Sequence, residues 1–229
     1  MVAPLRIRPR QAADLSVVSR IDRKKLDAVL SKLNELEPAV FIASELRSFI
    51  SECLSSEEHA LPLARQLLSL ATYCRSSNEE PKDAVERLLA GIKDYNLENG
   101  EKTNLKALAP VLTKLLEDES VKLSAKALHL GFDYANIYRS GNFITDIRPV
   151  FDDSRDRIVG AVISHTLRIH FMSAGEERDL SVALDNDDIL ALRDACDESL
   201  KKAEGAKSLV TDSMDLKAFI VGEETYGYG

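Results

Sequence analysis

One stretch constrains the fold more than any other: between residues 159 and 171, Val159, Ala161, Ile163, Leu167, Ile169 and Phe171 alternate with Ser164, Thr166, Arg168 and His170. Alternation at period two marks a strand with one dry face, because successive side chains leave opposite sides of the backbone. Only His165 interrupts the dry side. The preceding run sets Phe143, Thr145, Ile147, Pro149 and Phe151 against Asp146 and Arg148, and Leu180, Val182 and Leu184 repeat the pattern a third time. The polar connections 152–156 and 173–177 are too short for a parallel crossover, so the spacing predicts three antiparallel strands. Pro149 donates no ladder hydrogen bond, which puts the first strand at an edge or bulges it there.

The period then changes. Asp185, Asn186, Asp187 and Asp188 supply an N-cap and first-turn acids, and Ile189, Leu192, Cys196, Ser199, Leu200 and Ala203 follow at spacings of three and four. This is one amphipathic helix, able to cover a face of the sheet. Three strands and a helix make a small core, and such units lean on another domain or another copy of themselves. The candidate interface is the dry face: Phe143, Ile147, Phe151, Ile163, His165, Leu167, Ile169 and Phe171. On the wet face, Arg148, Arg168 and His170 form a candidate surface for an anion or a partner's carboxylate.

Ahead of the strands the apolar residues recur at helical spacing. Leu15, Val18 and Ile21 suggest a short helix, and Leu26, Val29, Leu30, Leu33 and Leu36 a second, which Pro38 breaks. A third helix is expected from about Ala39 to Leu54. A fourth follows the cap at residues 55–58, with Pro62 in an early turn, and Pro81 opens a fifth that Asn99 and Gly100 stop. Thr103 or Asn104 can cap a sixth, kinked or divided at Pro110, and a seventh is expected from Glu119 to Tyr138 with Ala135 and Ile137 on its stripe. No fixed repeat period runs through these helices, so they form a bundle or an angled array rather than a solenoid.

The expected fold class is therefore α+β: an all-α bundle followed by a small antiparallel three-stranded sheet with one C-terminal helix. Three regions result: a helical domain with a basic N-terminal arm over 1–140, a βββα module over 141–210 and a tail over 211–229. In the tail, Leu216, Ala218, Phe219, Ile220 and Val221 could return as a fourth strand or dock on a partner, while the Gly-rich end favours disorder for its last residues.

Composition narrows function. The formal net charge of −8 argues against a protein whose main work is binding polyanions. The exception is local, for the first twenty-five residues carry Arg6, Arg8, Arg10, Arg20, Arg23, Lys24 and Lys25 against only Asp14 and Asp22. Such an arm could serve RNA, DNA or acidic lipid, but on an acidic protein it is more often a solvated tail or an intramolecular partner. No apolar run is long enough to span a membrane, and the expected location is the cytoplasm. Cys53, Cys74 and Cys196 are too few and too scattered for a disulfide or zinc framework. No phosphate-binding, dinucleotide, nucleophile-elbow or metalloprotease motif occurs, and neither metal nor cofactor is expected. Residues 185–188 fail the calcium-loop pattern, whose sixth and twelfth positions would fall on Leu190 and Cys196. An enzymatic alternative, a hydrolase or transferase, would have to use His165, Cys196 or the turn with Asp152, Asp153 and Asp156. Ser164 cannot serve His165 as a nucleophile, since neighbours on a strand face opposite ways.

A helical N-terminal part followed by strand, strand, strand and helix resembles the COMM family. The residues that carry the resemblance are the alternating runs at 143–151 and 159–171, then Leu180, Val182 and Leu184 leading into the helix from Ile189 to Ala203. The resemblance implies an adaptor rather than a catalyst. COMM domains interlock as dimers and build scaffolds that act in endosomal cargo traffic and ubiquitin-ligase regulation. It also implies a protein partner, as a homodimer or heterodimer.

Overall fold

The structure, a computed structural model, describes residues 3–95 and 97–222 of the chain. Among the described residues, seven α-helices precede a three-stranded antiparallel sheet, and an eighth helix follows it. The described residues divide into two compact units, one within 3–131 together with 221–222 and the other 132–220. The boundary lies ahead of residue 140 because the first strand starts early.

In the helical unit the helices are α1 (Pro9–Ser19), α2 (Arg23–Glu35), α3 (Ala43–Leu54), α4 (Glu57–Ser77), α5 (Pro81–Gly91), α6 (Asn99–Glu117) and α7 (Glu119–Phe132). Helices α4 and α6 lie at the centre: α4 packs on α1, α3, α5 and α6, and α6 also meets α1 and α2. Their apolar stripes supply Leu63, Leu67, Leu105, Leu115 and Leu116, all buried, and α1 to α3 add Leu15, Leu26, Leu46 and Ile50. Burying one such side chain contributes about 1.5–3 kcal/mol, so this stripe-to-stripe contact dominates the unit's stability. One ion pair crosses the core, with Arg65 of α4 and Gln66 Nε2 both donating to the buried Asp14 carboxylate of α1.

Five local expectations are corrected. Residues 39–42 are extended rather than helical, because Pro38 precedes them and the hydroxyls of Ser120 and Ser124 on α7 accept from Ala39 N and Phe41 N at 3.1 and 2.8 Å. Helix α5 stops at Gly91, and Asn99 and Gly100 open α6 instead of ending its predecessor. There Glu101 reaches back to Glu98 N at 3.2 Å and supplies the cap expected of Thr103 or Asn104. Helix α6 runs unbroken through Pro110. Finally α7 ends at Phe132 rather than Tyr138, since Asn136, Ile137 and Tyr138 pair with Ser173, Met172 and Phe171 of the neighbouring strand.

The basic arm is not a free tail. Leu5 N donates to Arg87 O at 3.1 Å, Arg87 Nε donates to Ala3 O at 2.8 Å, Tyr95 donates to Ile7 O, and Ile7 is buried. Gly91 is what lets the arm approach, for a β-carbon there would collide with Leu5 O.

The second unit holds β1 (Asn136–Phe151), β2 (Ile158–Ser173), β3 (Glu176–Leu184) and α8 (Asn186–Ser208), in sheet order β1-β2-β3. Strand β1 is an edge, as Pro149 requires. At the β2–β3 turn both Ala174 and Gly175 have positive φ, 51° and 84°, the pairing of a two-residue turn whose twist matches its strands. At the β1–β2 turn, Asp152 Oδ1 accepts from Ser154 Oγ and from the backbone N–H groups of Asp156 and Arg157. Helix α8 opens with a capping box, Asp188 N to Asp185 Oδ1 at 2.9 Å and Asp185 N to Asp188 Oδ2 at 3.1 Å. It continues as a π-turn over Leu209–Ser213. Residues 215–220 have no regular structure, so no fourth strand forms from the described residues, and the Gly-rich end at 223–229 lies outside them.

Candidate functional site: the open face of the C-terminal unit

The register of the sheet decides which predicted site residues meet. Phe143 pairs with Leu167 and Leu167 with Val182; Ile147 pairs with Ile163; Thr145 pairs with His165 and His165 with Leu184; Ile169 pairs with Leu180. These residues share one face. Phe171 continues that face on β2 past the point where β1 slips its register at Arg139, and Phe151 lies beyond a second slip, opposite Ile158. The expected apolar face is therefore assembled, with its two outer phenylalanines at the irregular ends.

Among the described residues, much of that face is open. Phe143 is 53% exposed, Ile147 70% and Ile163 64%, whereas Leu167, Ile169 and Phe171 are half-buried. Helix α8, expected to be able to cover the sheet, instead has no buried residue, and Leu200 on its apolar stripe is 67% exposed. No described residue from Asp133 to Gly222 is buried.

His165 holds the helix to the sheet. Its Nδ1 lies 2.9 Å from Thr145 Oγ1 and its Nε2 3.0 Å from Asn186 Oδ1. With Asn186 accepting, Nε2 carries the proton and Nδ1 takes the hydroxyl hydrogen of Thr145. Both nitrogens are engaged, which suits positioning the helix on the sheet. Thr145 and Asn186 were not singled out from the sequence. The signal was present in the register, since a strand face that contains a histidine needs a polar residue opposite it.

The wet-face trio is not brought together. Arg168 pairs with Asn142, six residues from Arg148 along β1, a separation of about 20 Å at the usual strand rise. His170 Nδ1 lies against the Asp179 carboxylate of β3. In the other groups considered for chemistry, the Asp152 carboxyl sits below its ordinary range because the Ser154 hydroxyl and the turn's N–H groups donate to it, which is turn-making. Cys196 is exposed on α8, and Cys74, in the helical unit, is pushed up to about 11 by burial and then by the Glu79 carboxylate. A thiol at that value is protonated at neutral pH and is a poor nucleophile. Among the described residues no group of three or more His, Cys, Asp or Glu side chains gathers as a metal site. No helix among them is long and apolar enough to cross a membrane.

Compared with protein-family models and with curated proteins, the chain matches none.

Proposed function

We propose that the protein is a non-enzymatic adaptor of the cytoplasm, which assembles through its C-terminal βββα unit with a second such unit and presents its helical unit to a partner. The carrying observation is that this unit buries none of its described residues while exposing an aligned apolar sheet face and the apolar stripe of α8. Isolated small sheets without a covered hydrophobic face are marginal in water. A second copy offers the complementary surfaces at once, its helix stripe for this sheet and its sheet for this helix. A standard interface of roughly 1,600 Å² is within reach of such a pairing. The pattern-level resemblance to COMM domains supports the same reading.

Light scattering after size exclusion tests it on the full chain. A dimer or larger assembly is expected across concentration. A strict monomer whose β2 amides nonetheless resist hydrogen exchange would show that the unit is complete within one chain and would end this proposal.

A further inference from the structure

We infer that a cleft in the helical unit, between α4, α5, α6 and α7, is a docking site for a short acidic peptide segment of a partner protein. The inference depends on the adaptor reading only for the existence of a partner. The cleft has a volume of about 510 Å³ and opens along one side. Its lining is mainly polar, and its apolar members are Pro81, the buried Ala71 and Leu116, and the half-buried Cys74.

Charge gives the cleft its selectivity. Arg75, Lys122 and His129 line it, and none of the three side chains makes a hydrogen bond or ion pair among the described residues. Two acids line it as well. Glu79 is already engaged: Arg87 Nη1 donates to both its oxygens at 3.2 Å, and the Tyr73 hydroxyl followed by Arg87 holds its carboxyl below the ordinary range. Glu80 alone is left to oppose Arg75 and Lys122. Two exposed cations and an imidazole complement a carboxylate-bearing chain. A long polyanion is disfavoured, since beyond the cleft it would meet a protein of net charge −8, whereas a short acidic segment meets only the cleft.

Fluorescence anisotropy of the full chain, with a fluorescein-labelled peptide of glutamates around a central leucine, tests this. Binding is expected, weakening with salt and falling by about tenfold or more in Lys122→Glu and Arg75→Glu, while a lysine-for-glutamate peptide fails to bind. Both substituted side chains are exposed. Circular dichroism checks the fold, and Lys122→Gln, which removes the charge without reversing it, is expected to lose part of the affinity. Equal affinity in native chain and variants overturns the inference. So does displacement by inorganic phosphate as effective as by unlabelled peptide, which would mark a simple ion site. So does an affinity that rises when 223–229 are removed, because Glu223 and Glu224 of the chain itself would then be the occupant. Mass by light scattering on the same variants keeps the two ideas apart: assembly lost with peptide binding intact counts only against the C-terminal reading.

Discussion

His165 Nε2 and Asn186 Oδ1 lie 3.0 Å apart, so the central strand of the sheet is tied to the first residue of α8 through one imidazole. Thr145 Oγ1 holds the opposite ring nitrogen at 2.9 Å. The contact sets where the helix leaves the sheet, and a double-mutant cycle of His165→Ala and Asn186→Ala is expected to give a coupling of about 0.5–1.5 kcal/mol in urea unfolding. Additive effects would show that the bond does not orient the helix.

Phe143 and Ile163 are both more than half exposed in the single chain. A surface substitution with no other role stays within about 0.5 kcal/mol. Phe143→Asp and Ile163→Asp are therefore expected to leave the helical unit's unfolding unchanged but to lower the solution mass of the full chain. A mass equal to that of the native chain in both variants would place the assembly surface elsewhere.

Gly91 faces Leu5 O so closely that a β-carbon cannot fit without moving the N-terminal segment. Gly91→Ala should destabilise the helical unit by about 1–3 kcal/mol, the usual cost of forcing atoms into a packed contact. Trypsin reports the movement directly, since cleavage after Arg6 should quicken as Leu5 N parts from Arg87 O. Unchanged cleavage and unfolding would mean that the arm is not held at this point.

Glu101 accepts from Ser16 Oγ at 2.6 Å and from Arg20 Nη2 at 3.0 Å, joining α6 to α1. The Ser16 hydroxyl, followed by Arg20, lowers its pKa from the ordinary 4.5. A lowered folded value means that the unfolded chain binds the proton more readily. The stabilisation is thus complete above about pH 4.5 and is lost as pH falls through the folded value. Glu101→Gln should flatten this part of the acid limb in urea titrations, and a limb of unchanged slope would assign the acid sensitivity to other carboxylates.

Much of the fold was legible because periodicity is a local property. Period two at 143–151 and 159–171 marked the strands, and Asp185 with Asp188 marked the start of α8 before the capping box was seen. The aligned apolar face was legible too, given only the short turn between β1 and β2. Less legible were places where distant groups compete for a backbone. Ala39 and Phe41 have apolar neighbours suited to a helix, yet their N–H groups are taken by Ser120 and Ser124, which lie eighty residues on in the chain. Ile137 fits the stripe of α7, but β2 offered it a ladder partner in Met172. Arg148, Arg168 and His170 share a face by parity alone, and only the register shows that Arg148 stands apart.

By itself the sequence determined which segments become helix or strand and which side of each is apolar, because backbone geometry maps residue spacing onto faces. The tertiary structure decided which of those faces are covered. In the helical unit the stripes of α4 and α6 meet others and vanish from solvent, and the arm is drawn in past Gly91. In the C-terminal unit the stripe of α8 and the face with Phe143 and Ile163 stay exposed among the described residues. Burial depends on what distant segments bring within contact distance, and spacing along one segment carries no record of that.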